Sequence, residues 1–211
     1  MEASAQGRPE LVQRGQRLEY FTVFYNSAEA LASLVAGFYA GSVSLVGFGL
    51  DSLIEVASGA ALLWRLQQDR QAARREQAER IALRIAGCCF LALAAYVAYE
   101  SASTLIRREA PQGSVPGIVI AAVSVVVMPI LARAKRRVAA QISSRALHAD
   151  SRQADFCAYL SAIVLAGLLL NALAGWWWAD PLAALAMVPL VAKEGLDGVQ
   201  GKACCDVCAG G

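Results

Sequence analysis

The chain has 211 residues, 57% of them hydrophobic and only 17% charged, with a mean hydropathy of +0.47. That balance excludes an ordinary soluble domain. A formal net charge of +2, with basic residues grouped beside apolar runs instead of forming one stripe, excludes a nucleic-acid surface. The composition specifies an all-α polytopic membrane protein: six transmembrane helices, both termini cytoplasmic.

Residues 1–17 read as a polar cytoplasmic segment carrying Arg8, Arg14 and Arg17, with no signal-peptide pattern. The six-helix transport domain is predicted over residues 18–199. Its first span runs from Leu18 to Ala40, and Gly41 supplies a tight turn into the second, Ser42 to Trp64. The Arg-rich stretch from Arg65 to Arg80 has the spacing of a solvated cytoplasmic helix lying on anionic lipid. Span three, Ile81 to Ile106, shows no functional clustering, and Glu100 near its end reads as an interfacial residue. Span four runs from Val115 to Ala132, contains Pro129, and is closed by Arg133, Lys135, Arg136 and Arg137. Span five runs from Ala146 to Ala174, and span six from Leu182 to Gly198 after the turn Gly175 to Pro181. Residues 200–211 form a short cysteine-containing tail.

Orientation follows from Lys and Arg, which crowd the even-numbered connections and both ends, whereas the opposite loops hold only Arg107 and Arg108. Trp176 to Trp178 fit an aromatic belt on the outer side. The protein is thus expected in the cell membrane as a multi-pass protein.

Within span two, Asp51 and Glu55 stand four residues apart and so stack on one helical face. A carboxylate in hydrocarbon costs about 3 kcal/mol on insertion scales, so a stacked pair marks a function in preference to mere interhelical glue. Span five carries His148, Ser151 and Asp155, with Ser151 about 40° and His148 about 20° from Asp155 around the helix. Asp150 points about 140° away from Asp155 and reads as a mouth or structural residue. Arg152 reads as a snorkelling or paired side chain. Counting a 1.5 Å rise from Arg65 and Arg145 places Glu55 and Asp155 both about 15 Å deep, and Asp51 about 21 Å. Three acids at one level, with an imidazole, suit a borderline divalent cation, zinc foremost and then cadmium, cobalt, iron or manganese. Asn26 and Glu29, three apart in span one, are accessory candidates. Protons compete with metal for such ligands, which supplies a route to proton–metal exchange.

These motifs carry a family likeness. GSVSLVGFGLDSLIEV in span two, HADSRQADFCAYLS in span five and WWWADPLAAL entering span six resemble the cation diffusion facilitator family over residues 20–199. The resemblance implies export of zinc or a related divalent metal by proton antiport in a homodimer, with no enzymatic activity and no permanently bound cofactor. It maps the family's paired span-two ligands onto Asp51 and Glu55, and its span-five aspartate onto Asp155. Two departures stand out. The family's span-five histidine falls on Ser151, leaving His148 one turn earlier as the substitute or gate. About a dozen residues follow span six where the family carries a soluble domain, so dimerisation is expected through the membrane domain.

Cys88, Cys89 and Cys157 read as small hydrophobes inside spans. Cys204, Cys205 and Cys208 read as a thiolate trap for incoming metal, with palmitoylation and an inert tail as the competing readings. The function expected is therefore a secondary metal exporter; the alternative is a non-transporting metal-binding or regulatory membrane protein. Gly47 to Asp51 is similar to the Gly-x-Gly-Asp motif of intramembrane aspartyl proteases, but Leu50 interrupts it and no partner aspartate motif appears.

Overall fold

The structure, a computed structural model, describes residues 8–67, 72–108, 112–142 and 144–200. They form six helices: α1 (Arg8–Ala40), α2 (Val43–Gln67), α3 (Ala72–Arg107), α4 (Val115–Ile142), α5 (Arg145–Ala174) and α6 (Ala179–Val199). Stretches Val43–Trp64, Gly87–Arg107, Val115–Ile142 and Asp150–Ala174 are long and apolar enough to span a bilayer. The other two helices carry more charge, Glu19 and Glu29 in α1 and Lys193, Glu194 and Asp197 in α6. Residues 68–71 and the side chains of 65–83 lie outside the description, and with them the expected lipid-facing role of the Arg65–Arg80 stretch.

Helix α1 is turned inside out relative to a water-soluble helix. Its polar residues recur every three or four positions, and Glu19, Thr22, Asn26, Glu29 and Ser33 are all buried. Its apolar ones, Phe21, Phe24, Leu31 and Phe38, face outward. A helix with hydrocarbon on its outer face gains nothing by hiding Phe, whereas its carboxylates must find partners inside.

Helix α2 is the centre of the bundle, packed against α1, α3, α5 and α6. The core under it is built from Phe48, Phe90, Val97, Met128, Leu160, Leu168 and Met187. A second apolar cluster of Leu62, Val138, Ile142 and Leu147, with Leu11 and Val12 against it, gathers the start of α1, the ends of α2 and α4 and the start of α5. Those termini share one end of the bundle, the end where the arginines concentrate.

The opposite end is tied by backbone and side-chain bonds. Gly41 adopts φ +64°, the left-handed conformation that glycine enters without a steric penalty, and reverses the chain between α1 and α2. Just beyond it, Ser42 Oγ donates to Asp180 Oδ1 at 2.6 Å, and Ser44 Oγ to the same oxygen at 2.5 Å. Asp180 lies in the first turn of α6, where the helix dipole favours a negative charge. The bond network thus locks the start of α2 to the start of α6. Trp176 and Trp178 stack with centroids 5.0 Å apart at this end, half-exposed as an interfacial pair should be.

Helices α3 and α6 approach closely where Gly87 faces Gly195. A Cβ built on Gly87 would lie 2.5 Å from the Val199 nitrogen and 2.7 Å from the Gly195 oxygen. Small residues at such crossings let two backbones pack without side chains between them.

Candidate functional site

The inward polar stripe of α1 meets the carboxylate face of α2. Glu29, Asp51 and Glu55 are each at most 4% exposed, so three carboxyl groups share one buried seam. Glu29 is fully partnered. Ser52 Oγ donates to its Oε2 at 2.9 Å, Ser124 Oγ from α4 donates to its Oε1, and the Tyr25 hydroxyl reaches Oε1 at 3.3 Å. Glu55 accepts from Asn26 Nδ2 at 2.6 Å. Asp51 is different: it is buried, and neither of its oxygens has a hydrogen-bond partner.

An unpartnered polar group away from water costs several kcal/mol, so native proteins rarely keep one. Asp51 is moreover surrounded by like-signed groups, with Glu29 and Glu194 as its electrostatic neighbours. No group among the described residues hydrogen-bonds to it.

A second polar node lies toward the arginine-rich end. Lys135 of α4 is 1% exposed and reaches Glu19 Oε1 on α1 at 3.1 Å and Oε2 at 3.2 Å. It also bonds Asp150 Oδ2 on α5. This bridge borders the seam, since Lys135 and Asp150 both act electrostatically on Glu55. One ammonium thus joins three helices beside the carboxylate cluster. Asp150, which its direction around the helix leaves as a mouth or structural residue, is thus paired with Lys135.

A model of the cation efflux transmembrane domain matches residues 20–199. The chain belongs to the cation efflux family. It is 28% identical over 169 residues to the cation-efflux pump FieF of Klebsiella pneumoniae, covering 75% of this chain and 55% of that protein. An uncharacterized transporter of Synechocystis sp. is 27% identical over 174 residues, 79% of this chain and 56% of that one. The FieF of Shewanella oneidensis is 28% identical over 113 residues, 54% of this chain and 36% of that pump. The chain spans about half the length, or less, of the curated relatives it matches. Family and fold together make it an integral multi-pass protein of the cell membrane.

The structure brings together some of the residues singled out in the sequence and separates others. Asp51, Glu55, Asn26 and Glu29 share the seam. Asp155 does not join them. Its carboxylate pairs with Arg136 of α4, with side chains 36% and 43% exposed. The reason is helical phase: the buried face of α5 runs through Leu147, Ser151, Ala154, Cys157, Ser161 and Val164, and Asp155 lies on its margin. Ser151 is buried, but its hydroxyl donates to the His148 carbonyl at 2.6 Å, and His148 itself is half-buried. Cys157 of α5, fully buried in the core, is acted on electrostatically by Glu55, Asp51 and Glu29. Among the described residues no three His, Cys, Asp or Glu side chains converge as they stand on one metal-holding point. Cys204, Cys205 and Cys208 lie outside the described residues.

Sequence reasoning missed Glu19 and Lys135. Lys135 sits in the run Arg133–Arg137, where a basic residue reads as a membrane-boundary anchor. The overlooked signal is spacing: Glu19 lies seven residues before Asn26 and ten before Glu29, on one face of α1.

Proposed function

We propose that this chain exports a divalent metal cation from the cytoplasm, with Asp51 and Glu55 as the principal groups that hold the cargo and protons as the counter-transported ion. The observation that carries the reading is Asp51, a buried carboxylate with both oxygens unpartnered, one turn from Glu55 and in the company of Glu29. Its buried position inside a six-helix bundle supports a path through the membrane, because a pore-side charge is retained only where it has work to do. Membership of the cation efflux family supports the same direction of transport. A homodimer through the membrane domain belongs to the proposal, as do zinc and its neighbours as cargo.

The chemistry follows from the donor set. Carboxylates bind hard and borderline divalent ions and bind protons in competition, so a pH gradient drives exchange at the same oxygens. Flux of zinc, cadmium, cobalt, iron and manganese into proteoliposomes under an imposed pH gradient tests the reading. Metal-dependent uptake that collapses with the gradient is expected. Absence of flux for every ion would leave the second reading, a non-transporting metal-binding or regulatory protein. That alternative draws on one observation, the diversion of Asp155 to Arg136.

A further inference from the structure

We infer that Cys157 supplies a sulfur ligand to the cargo held by Asp51 and Glu55, which makes the transported class thiophilic divalent ions, zinc and cadmium ahead of manganese and magnesium. The inference deepens the export reading and rests on it.

Cys157 is completely buried on α5, and the groups that act on it from across the seam are Glu55, Asp51 and Glu29. Cys157 forms part of the apolar core where α5 packs on α2, and an apolar role alone leaves unexplained that three carboxyl groups act on it there. The second, independent observation is Asp51, whose two oxygens are both buried and both unpartnered in the same seam. Asn26 Oδ1, also buried and unpartnered, adds a neutral oxygen donor from α1.

The donors do not yet converge on a point, and the structure shows what has to move. Asp51 has no hydrogen bond to break in turning toward the sulfur. Glu55 is held through Oε2 by Asn26. A cation drawn in by Asp51 and Glu55 therefore meets a sulfur on the facing helix. Sulfur ligands select zinc, cadmium and related ions, whereas an all-oxygen set suits manganese, magnesium or calcium. The single thiol is thus the element of this seam able to separate the two classes.

The test uses the full chain with Cys88, Cys89, Cys204, Cys205 and Cys208 replaced by Ser, so that Cys157 is the one remaining thiol. Cobalt(II) added to this protein should produce a sulfur-to-cobalt charge-transfer band in the near ultraviolet, saturating with the bound metal measured by equilibrium dialysis. Cobalt that binds without the band overturns the inference. In proteoliposomes, Cys157→Ser should lower the cadmium-to-manganese flux ratio by at least roughly tenfold, the lower end of what losing even a supporting group does at a metal site. Manganese flux should persist. An unchanged ratio in a variant that still transports overturns the sulfur ligand and leaves export standing. Failure of the parent protein to move any cation overturns the export reading itself, a separate result. Where Cys157→Ser does not fold, the cobalt spectrum of the Cys157-only protein decides alone.

Discussion

Two clusters of buried charge lie side by side in this bundle and are built on opposite rules. Around Lys135, both carboxylates have a cation beside them: one ammonium bridges Glu19 and Asp150 and so ties three helices together. Around Asp51, carboxyl groups accumulate with no ion pair to a cation among the described residues, and one is left with no hydrogen-bond partner. The first arrangement is a structural joint, since its carboxylates share an ammonium that the protein itself supplies. On the proposed reading the second is a binding arrangement, whose complement is the cargo. Burial alone does not separate the two, as Glu19 and Asp51 are both essentially inaccessible. Pairing does.

The sharpest way to break the comparison is to neutralise one member of each cluster. Asp51→Asn removes a charge that no protein group satisfies, so stability should hold or rise. Transport should disappear. Proteoliposome flux and thermal unfolding in detergent, measured on the same preparation, check both halves. Wild-type flux in this variant would mean the cargo passes elsewhere.

Lys135→Ala is the converse experiment. It strands Glu19 and Asp150 in a low-dielectric interior, and breaking a buried pair of this kind costs about 3–5 kcal/mol. Replacing all three together, with Glu19→Leu, Lys135→Met and Asp150→Leu, should recover most of that loss, because no unpaired charge remains. Denaturant unfolding monitored by helical circular dichroism reads both. If Lys135→Ala unfolds at the wild-type midpoint, the joint is not structural and the contrast with Asp51 fails.

The sequence made the bundle plain, and half of the seam as well. Hydropathy and the distribution of arginine indicate an all-helical membrane bundle, and the i, i+4 spacing of Asp51 and Glu55 identifies the acidic face of α2. Helix α5 was harder for a physical reason. In a soluble helix the apolar stripe shows which way is inward, but lipid is as apolar as a protein core, so hydropathy leaves the inward face of a membrane helix open. Asp155, on the face shared with His148 and Ser151, therefore reads as inward and Cys157 as a small hydrophobe, whereas in the fold Cys157 is fully buried and Asp155 lies on the margin. Lys135 was concealed by its neighbours. In the run Arg133–Arg137 it looks like one more boundary charge until α1 and α5 are seen to supply Glu19 and Asp150.

Away from charge, the crossing of α3 and α6 gives a smaller effect by pure sterics. Gly87→Ala places a methyl group where the backbone of α6 already runs, 2.5 Å from the Val199 nitrogen. Backbone does not yield as a side-chain tip does, so overpacking should destabilise by about 1–3 kcal/mol. Because α6 also holds Glu194 toward Asp51, the variant shows how far the seam depends on this crossing. A loss below about half a kcal/mol, the usual range for neutral surface changes, would mean that α3 and α6 are further apart than described.

The smallest effect is expected at Arg136, and it sharpens the comparison most directly for Asp155. This pair is neither fully buried like the Lys135 joint nor unpartnered like Asp51; both side chains keep more than a third of their surface exposed. Ion pairs this open contribute about 0–1 kcal/mol where water reaches them, so Arg136→Ala should shift the unfolding midpoint in detergent only slightly. Asp155 lies on the margin of the inward face of α5, so releasing it does not turn it into the seam, and cation selectivity should stay as in the wild type. If Asp155 instead serves the cargo and Arg136 merely holds it aside, freeing the carboxylate should raise apparent metal affinity, and Asp155→Ala should abolish flux in both backgrounds. Flux measured across a metal titration for Arg136→Ala, Asp155→Ala and the double variant separates the two cases. A pair acting only on the surface predicts three nearly superimposable curves.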